Sequence, residues 1–220
     1  EFDGNVQIAE GALAGTKIDL VSDLGMDDSE SVPNATISCR FFENSKVSLS
    51  YFNMETEGNK NITRQFDYKG NTYTVGTTVA SELDLTVIEG KYGYRFLSAE
   101  EYELYGLLGV KYAKIEAELV TTTFGARREE IDAPVPVIGL AGEFRPYGKF
   151  AIGGEVSGLT ISTGDVDFTL IDILANVSYD ITQNLRASAG YRYFNIDGSN
   201  DDDSAEVTYK GPYIAIVGSF

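Results

Sequence analysis

The chain has 220 residues, with 17 Lys and Arg against 34 Asp and Glu, so its formal net charge of −17 argues against a nucleic-acid binder, whose surface needs basic patches. It contains no histidine, which removes Ser-His-Asp and Cys-His catalysis, imidazole metal sites and imidazole pH switching. A single cysteine, Cys39, cannot form an internal disulfide. The length suits one domain spanning residues 1–220.

Tyr and Phe are plentiful, at 14 and 12, and Pro is scarce, at 5, which favours strands. No apolar run is long enough for a transmembrane helix. A membrane barrel has no such run either, because only alternate residues of its strands meet lipid. The first residues, Glu1-Phe-Asp, carry neither a basic n-region nor an apolar h-region, as expected of a mature exported chain and equally of a cytosolic one.

In chain order, Phe2, Val6 and Ile8 alternate with Asp3, Asn5 and Gln7 as a first strand, and residues 21–34 form an acidic loop. From Ala35 the alternation is regular. Ile37, Cys39 and Phe41 share one face, and after a turn at 43–45 so do Val47, Leu49 and Tyr51. Residues 55–76 are a polar segment with a hairpin signal at Tyr68-Lys-Gly-Asn-Thr-Tyr73, whose aromatic flanks suggest strands projecting beyond a membrane. Leu83, Leu85 and Val87 alternate, then the apolar phase moves to Ile88, Tyr92, Tyr94 and Phe96. A second change falls at Ala113, between Leu104–Tyr112 and Ile115–Leu119. Each change predicts a β-bulge.

After a charged loop at 120–132, further alternating runs follow. They comprise Ile138 to Phe144, Phe150 to Val156, Ile171 to Tyr179, Leu185 to Tyr193, and a last strand through Ile214 and Ile216 to Phe220. Short connections near 43–45, 97–101, 145–148 and 182–184 alternate with longer ones near 21–34, 55–76, 120–132 and 197–206, with a short joint at 162–165 as the exception. Short turns on one rim and long loops on the other are the pattern of a membrane barrel. The expectation is therefore an all-β fold, a single antiparallel up-and-down transmembrane β-barrel of about ten strands, with eight as the alternative.

These alternating strands, aromatic girdles and unequal loops resemble the small outer-membrane barrels of Gram-negative bacteria, broadly the OmpA/OmpW type. Ile214, Ile216 and Phe220 match the C-terminal alternation that the barrel-assembly machinery reads in that family. The resemblance covers the chain from about Ala35. It implies residence in the bacterial outer membrane, contact with lipid and lipopolysaccharide, a monomer, and no cofactor. Enzymes of that architecture resemble one another in using a histidine, so this chain is expected not to be an enzyme.

With apolar faces turned to lipid, the opposite faces fill the lumen. They carry Arg40, Lys91, Arg95, Lys111, Arg145, Arg186 and Arg192 with Glu89, Glu103, Glu143, Glu155 and Asp172. Such groups either pair into a network that closes a narrow lumen or line a slightly anion-favouring pore. No catalytic or metal site is expected. Asp197, Asp201 and Asp203 form a weak cation candidate whose spacing fails the EF-hand pattern. Two further functional readings remain: an adhesin or receptor whose acidic outer loops bind a partner or divalent cations, and a soluble barrel holding a ligand in an apolar interior.

Overall fold

The computed structural model of the protein describes residues 1–8, 15–29, 32, 34–68, 71–121, 125–164, 166–200 and 203–219. Its strands are β1 (Phe2–Gln7), β2 (Ile18–Asp19), β3 (Asn34–Phe42), β4 (Ser45–Asn61), β5 (Phe66–Tyr68), β6 (Asn71–Tyr73), β7 (Thr78–Ser98), β8 (Tyr102–Thr121), β9 (Gly125–Tyr147), β10 (Phe150–Thr163), β11 (Val166–Asp180), β12 (Leu185–Ser199) and β13 (Ser204–Ser219). Strands β3, β4 and β7 to β13 pair in succession through antiparallel ladders, and β13 returns to β3, which closes the sheet into a barrel.

The closure differs between the two halves of the wall. Near the short-turn rim β13 meets β3 in a parallel ladder of three pairs, Val217–Ser219 against Thr36–Ser38. Towards the other rim, β13 pairs antiparallel with β1, from Phe2↔Tyr209 to Gln7↔Ser204, and β2 lies against β1. The chain then crosses to β4, where Met26 bridges Gly58 and the Asp27 N–H donates to the Glu57 carbonyl at 3.0 Å. A Cβ on Gly58 would lie 2.7 Å from the Leu24 carbonyl oxygen and 2.8 Å from the Met26 nitrogen, so only glycine admits this approach. Among the described residues, the expected ring of about ten strands is built of nine long ones. One position in the wall is filled by β3 below and by β1 with residues 18–28 above.

The phase changes at Val87/Ile88 and Ala113 are not bulges. The β7–β8 ladder runs without a shift from Val79↔Thr121 to Arg95↔Tyr105. Odd-numbered residues of both strands face inward throughout, with Val79, Leu83, Leu85, Val87 and Glu89 buried on β7 and Tyr105, Leu107, Lys111, Ala113 and Leu119 buried on β8. What inverts is polarity. Below Val87 and Ala113 the exterior is apolar and the interior charged, whereas above them the interior is apolar and Lys114, Glu116 and Glu118 face out. A bilayer forces the first arrangement and water the second, so the inversion marks the upper membrane boundary.

The lower exterior carries Ile37, Leu49, Ile88, Leu104, Leu108, Val110, Ile138, Leu140, Ile152, Val156, Ile173 and Val177, all exposed. No water-soluble surface sustains so large a continuous apolar band, and it contradicts the soluble-barrel expectation. On β8 it runs from Leu104 to Tyr112, about 27 Å of strand or about 21 Å of height at a tilt of about 40°. Tyr51, Tyr112 and Tyr191 border it above, and Phe41, Phe42, Tyr94, Phe96, Tyr147, Phe150 and Tyr179 below, as interfacial aromatics do. The protein is a transmembrane β-barrel.

Above the band the strands continue as a crown. Residues 120–132 and 197–206, expected as loops, are largely ladder, with Gly125–Asp132 against Lys114–Thr121 and Asp197↔Glu206 to Ser199↔Ser204. Within 55–76, β4 extends to Asn61 and β5 pairs with β6, where Phe66 and Tyr73 stack at 5.1 Å. Phe2, Ile18, Leu20, Leu24, Met26, Phe66 and Tyr73 fill the crown's interior, each contributing about 1.5–3 kcal/mol on burial. Burial also pushes the Tyr68 hydroxyl up to about 12.

Candidate functional site: a stratified lumen

Strand parity places three layers in the lumen. The upper layer is apolar: Phe52, Met54, Val87, Leu170 and Phe194 are all buried, and the Phe52 and Phe194 rings meet edge to face at 5.3 Å. These rings form the floor of the crown's core and the ceiling of the charged region.

Directly beneath lies a six-membered ion network. Lys111 Nζ is 2.7 Å from Asp172 Oδ2 and 2.8 Å from Glu89 Oε1. Arg192 donates to Asp172 through Nε at 2.9 Å and Nη2 at 2.7 Å. Lys91 joins Glu89 at 3.3 Å and also pairs with Glu155. Lys111 and Asp172 are essentially without solvent, at 0% and 1% exposure. Three cations therefore face three carboxylates. Charges this deep persist only when matched and hydrogen-bonded, and Arg192 also stacks its guanidinium 4.3 Å from the Phe52 ring centroid. The network is thereby welded to the apolar ceiling.

A cavity of about 1110 Å³ runs from beneath the ceiling residues Phe52 and Val87, alongside the ion network, down to Gln183 and Asn184 in the short-turn rim. Its lower wall forms the third layer and holds a second set of pairs. Glu143 bridges Arg145 and Arg186, Asp180 bridges the same two arginines at 2.8 and 2.6 Å, and Glu103 pairs with Arg95. Arg40 reaches Glu103 only at 3.9 Å. A hydroxyl ladder of Thr36, Ser38, Ser48 and Ser50 completes one side.

All twelve lumen residues named from the sequence face inward. Lys46 and Asp180 were missed, although the parity that selected Arg40 and Asp172 places them on the same faces, and Tyr105 lies on the inward face with Glu103 and Lys111. Ile214 and Ile216 point outward to the apolar band. Phe220 and Asp201 lie outside the described residues. Asp197 pairs across the last hairpin with Glu206, and Asp203 closes its turn by donating its N–H to Asn200 Oδ1 at 2.7 Å. Among the described residues, no three Cys, Asp or Glu side chains group so as to hold a metal ion.

No protein-family model matches the chain, and no curated protein matches it. Among solved structures it is similar to an outer-membrane barrel. That structure is the outer membrane protease OmpT from Escherichia coli, with 11% sequence identity and a TM-score of 0.49 over 98% of this chain and 94% of that one. A likeness at this level transfers no chemistry, and it does not reach the finer OmpA/OmpW resemblance. The fold rests on the ladders and the site on its own geometry.

Proposed function

We propose that the protein is a non-enzymatic resident of the bacterial outer membrane whose lumen is sealed, so that it acts as a structural element of the envelope rather than as a conduit. The observation that carries this reading is the apolar ceiling of Phe52, Val87, Leu170 and Phe194 resting on the matched Lys111, Asp172 and Arg192 network. An ion entering from the short-turn rim would have to break buried pairs and then cross an apolar layer, each step costing several kcal/mol. Bilayer lipid, lipopolysaccharide and the barrel-assembly machinery are its proposed partners, and the protein works as a monomer without a cofactor. Planar-bilayer recordings on the refolded protein test the seal: no single-channel steps are expected, and reproducible steps would refute it.

A second reading is favoured by the crown. Its rigid, acidic outer face, with Glu116 held by Arg128 and Lys114, suits presentation of a binding surface to an external partner. Deleting residues 66–73 while assaying surface binding tests this, and unchanged binding would count against it.

A further inference from the structure

The lumen's charges do not balance once the lowest layer is included. Between the Phe52/Phe194 ceiling and the short-turn rim, the inward strand residues comprise the cations Arg40, Lys46, Lys91, Arg95, Lys111, Arg145, Arg186 and Arg192. Against them stand the carboxylates Glu89, Glu103, Glu143, Glu155, Asp172 and Asp180. In a chain of net charge −17, these inward strand side chains are positive by two, and Lys149 of the β9–β10 turn lines the cavity as well.

The excess has an address. Arg40 on β3 and Lys46 on β4 are direct cross-strand partners facing the cavity. Like charges directly opposite one another destabilise a sheet. Neither is well neutralised: Arg40 reaches Glu103 only at 3.9 Å, and that carboxylate is already engaged by Arg95 and by the Tyr105 hydroxyl. Among the described residues Lys46 makes no ion pair. Its Nζ lies 4.1 Å from the Tyr105 ring centroid, and the nearby Glu143 and Glu155 are engaged by Arg145, Arg186 and Lys91. Immediately above the two cations, Ser38 and Ser48 form the next cross-strand pair on the same face.

We propose that Arg40 and Lys46 form an oxyanion-binding site at the mouth of the chamber, which takes a carboxylate or phosphate group from the short-turn side. One anion between the two side chains turns a repulsive pair into two attractive ones. Arg40 supplies a planar fork, Lys46 a point charge, and the Ser48 hydroxyl a further donor. The chamber is large enough for a small solute bearing the group and is closed above by the buried Phe52, Val87, Leu170 and Phe194 layer, so the site captures rather than conducts. It stands whether or not the protein proves structural in the envelope.

The test is isothermal titration of the refolded barrel in detergent with inorganic phosphate and, separately, with citrate, at ionic strength held constant with sodium chloride. Saturable binding of at least one anion is expected, and whichever binds more tightly identifies the phosphate or carboxylate source. Lys46→Gln should weaken it about tenfold or more, Arg40→Gln comparably, and Lys46→Arg should restore most of it. No saturable heat with either anion in the unmodified protein would overturn the proposal by itself. So would equal affinity in folded Lys46→Gln, which heat-modifiable gel migration verifies as folded.

Discussion

Asp172→Asn tests the sealed lumen most directly. The amide keeps the carboxylate's shape but not its charge. Asp172 accepts from Arg192 Nε at 2.9 Å, Arg192 Nη2 at 2.7 Å and Lys111 Nζ at 2.7 Å. In the variant one amide oxygen remains to accept, and the NH₂ group faces a cation. The network of Lys91, Lys111 and Arg192 against Glu89, Glu155 and Asp172 then carries one unmatched positive charge where solvent is absent. Losing two charge-assisted bonds at about 1.5–3 kcal/mol each gives a destabilisation of about 3–6 kcal/mol, which overlaps the roughly 3–5 kcal/mol for breaking a buried pair. Urea unfolding of the barrel in phosphatidylcholine vesicles measures it. The chain has no tryptophan, so tyrosine emission and heat-modifiable gel migration are the signals. The double variant Asp172→Leu/Arg192→Met leaves two cations facing two carboxylates and should recover most of the loss. A loss below about 1 kcal/mol for the single variant, or a double variant as damaged as the two singles summed, would refute charge matching as what holds this layer together.

Two further outcomes follow from the crown and the band. Leu108→Arg, opposite Ile138 in the middle of the exposed band, should cost about 2–4 kcal/mol in vesicle unfolding, against about 0.5 kcal/mol or less for Val120→Arg on the crown's outer face; equal effects would remove the membrane boundary from where the polarity inverts. In the crown, hydrogen bonding from Arg64 holds the Asp23 carboxyl below its usual 3.8. The stabilisation is therefore present above about pH 4 and lost as the pH falls through the lowered folded value, amounting to a few tenths of a kcal/mol at this solvated site. Limited proteolysis of residues 18–28 between pH 5 and 2 should show earlier release in Arg64→Ala, and identical profiles would count against the contact.

The outward faces of β3 to β13 were legible because a period of two survives wherever one face meets lipid, as in Ile37-Cys39-Phe41 and Leu104 to Tyr112. The same regularity misled at Val87 and Ala113. An alternation that changes phase has two physical origins, an inserted residue or an exchange of the media on the two sides, and sequence alone does not separate them. The unshifted pairing of Ile88 with Tyr112 decides for the second. The crown ladders at 120–132 were hidden for a related reason. Residues such as Arg128, Glu129 and Glu130 read as a charged loop because both faces of a projecting hairpin near its tip meet water. Residues 22–28 left no periodic trace, since Leu24 and Met26 are fixed by docking on Gly58 rather than by a ladder. Lys46 and Asp180 needed no new signal. They follow from extending the parity of β4 and β11 by one step.

The split closure of the wall bears on how the barrel comes together. Every other seam of the ring joins strands that follow one another directly or, for β4 and β7, across the short β5–β6 insertion, so a hairpin can form as soon as its residues are available. The last seam joins Thr36 to Val217 and Phe2 to Tyr209. Bringing such distant segments together costs about 3 kcal/mol more loop entropy than closing a four-residue turn. Three parallel pairs are a small return on that cost. The wedge of Phe2, Ile18, Leu20 and Leu24 beneath Tyr209 and Val207 supplies the rest, outside the bilayer, where apolar contacts are driven by water. Residues 2–7 and 18–28 thus act as a latch on this seam. A chain lacking them should keep its hairpin ladders but close the ring more slowly, seen as delayed appearance of the heat-modifiable folded band.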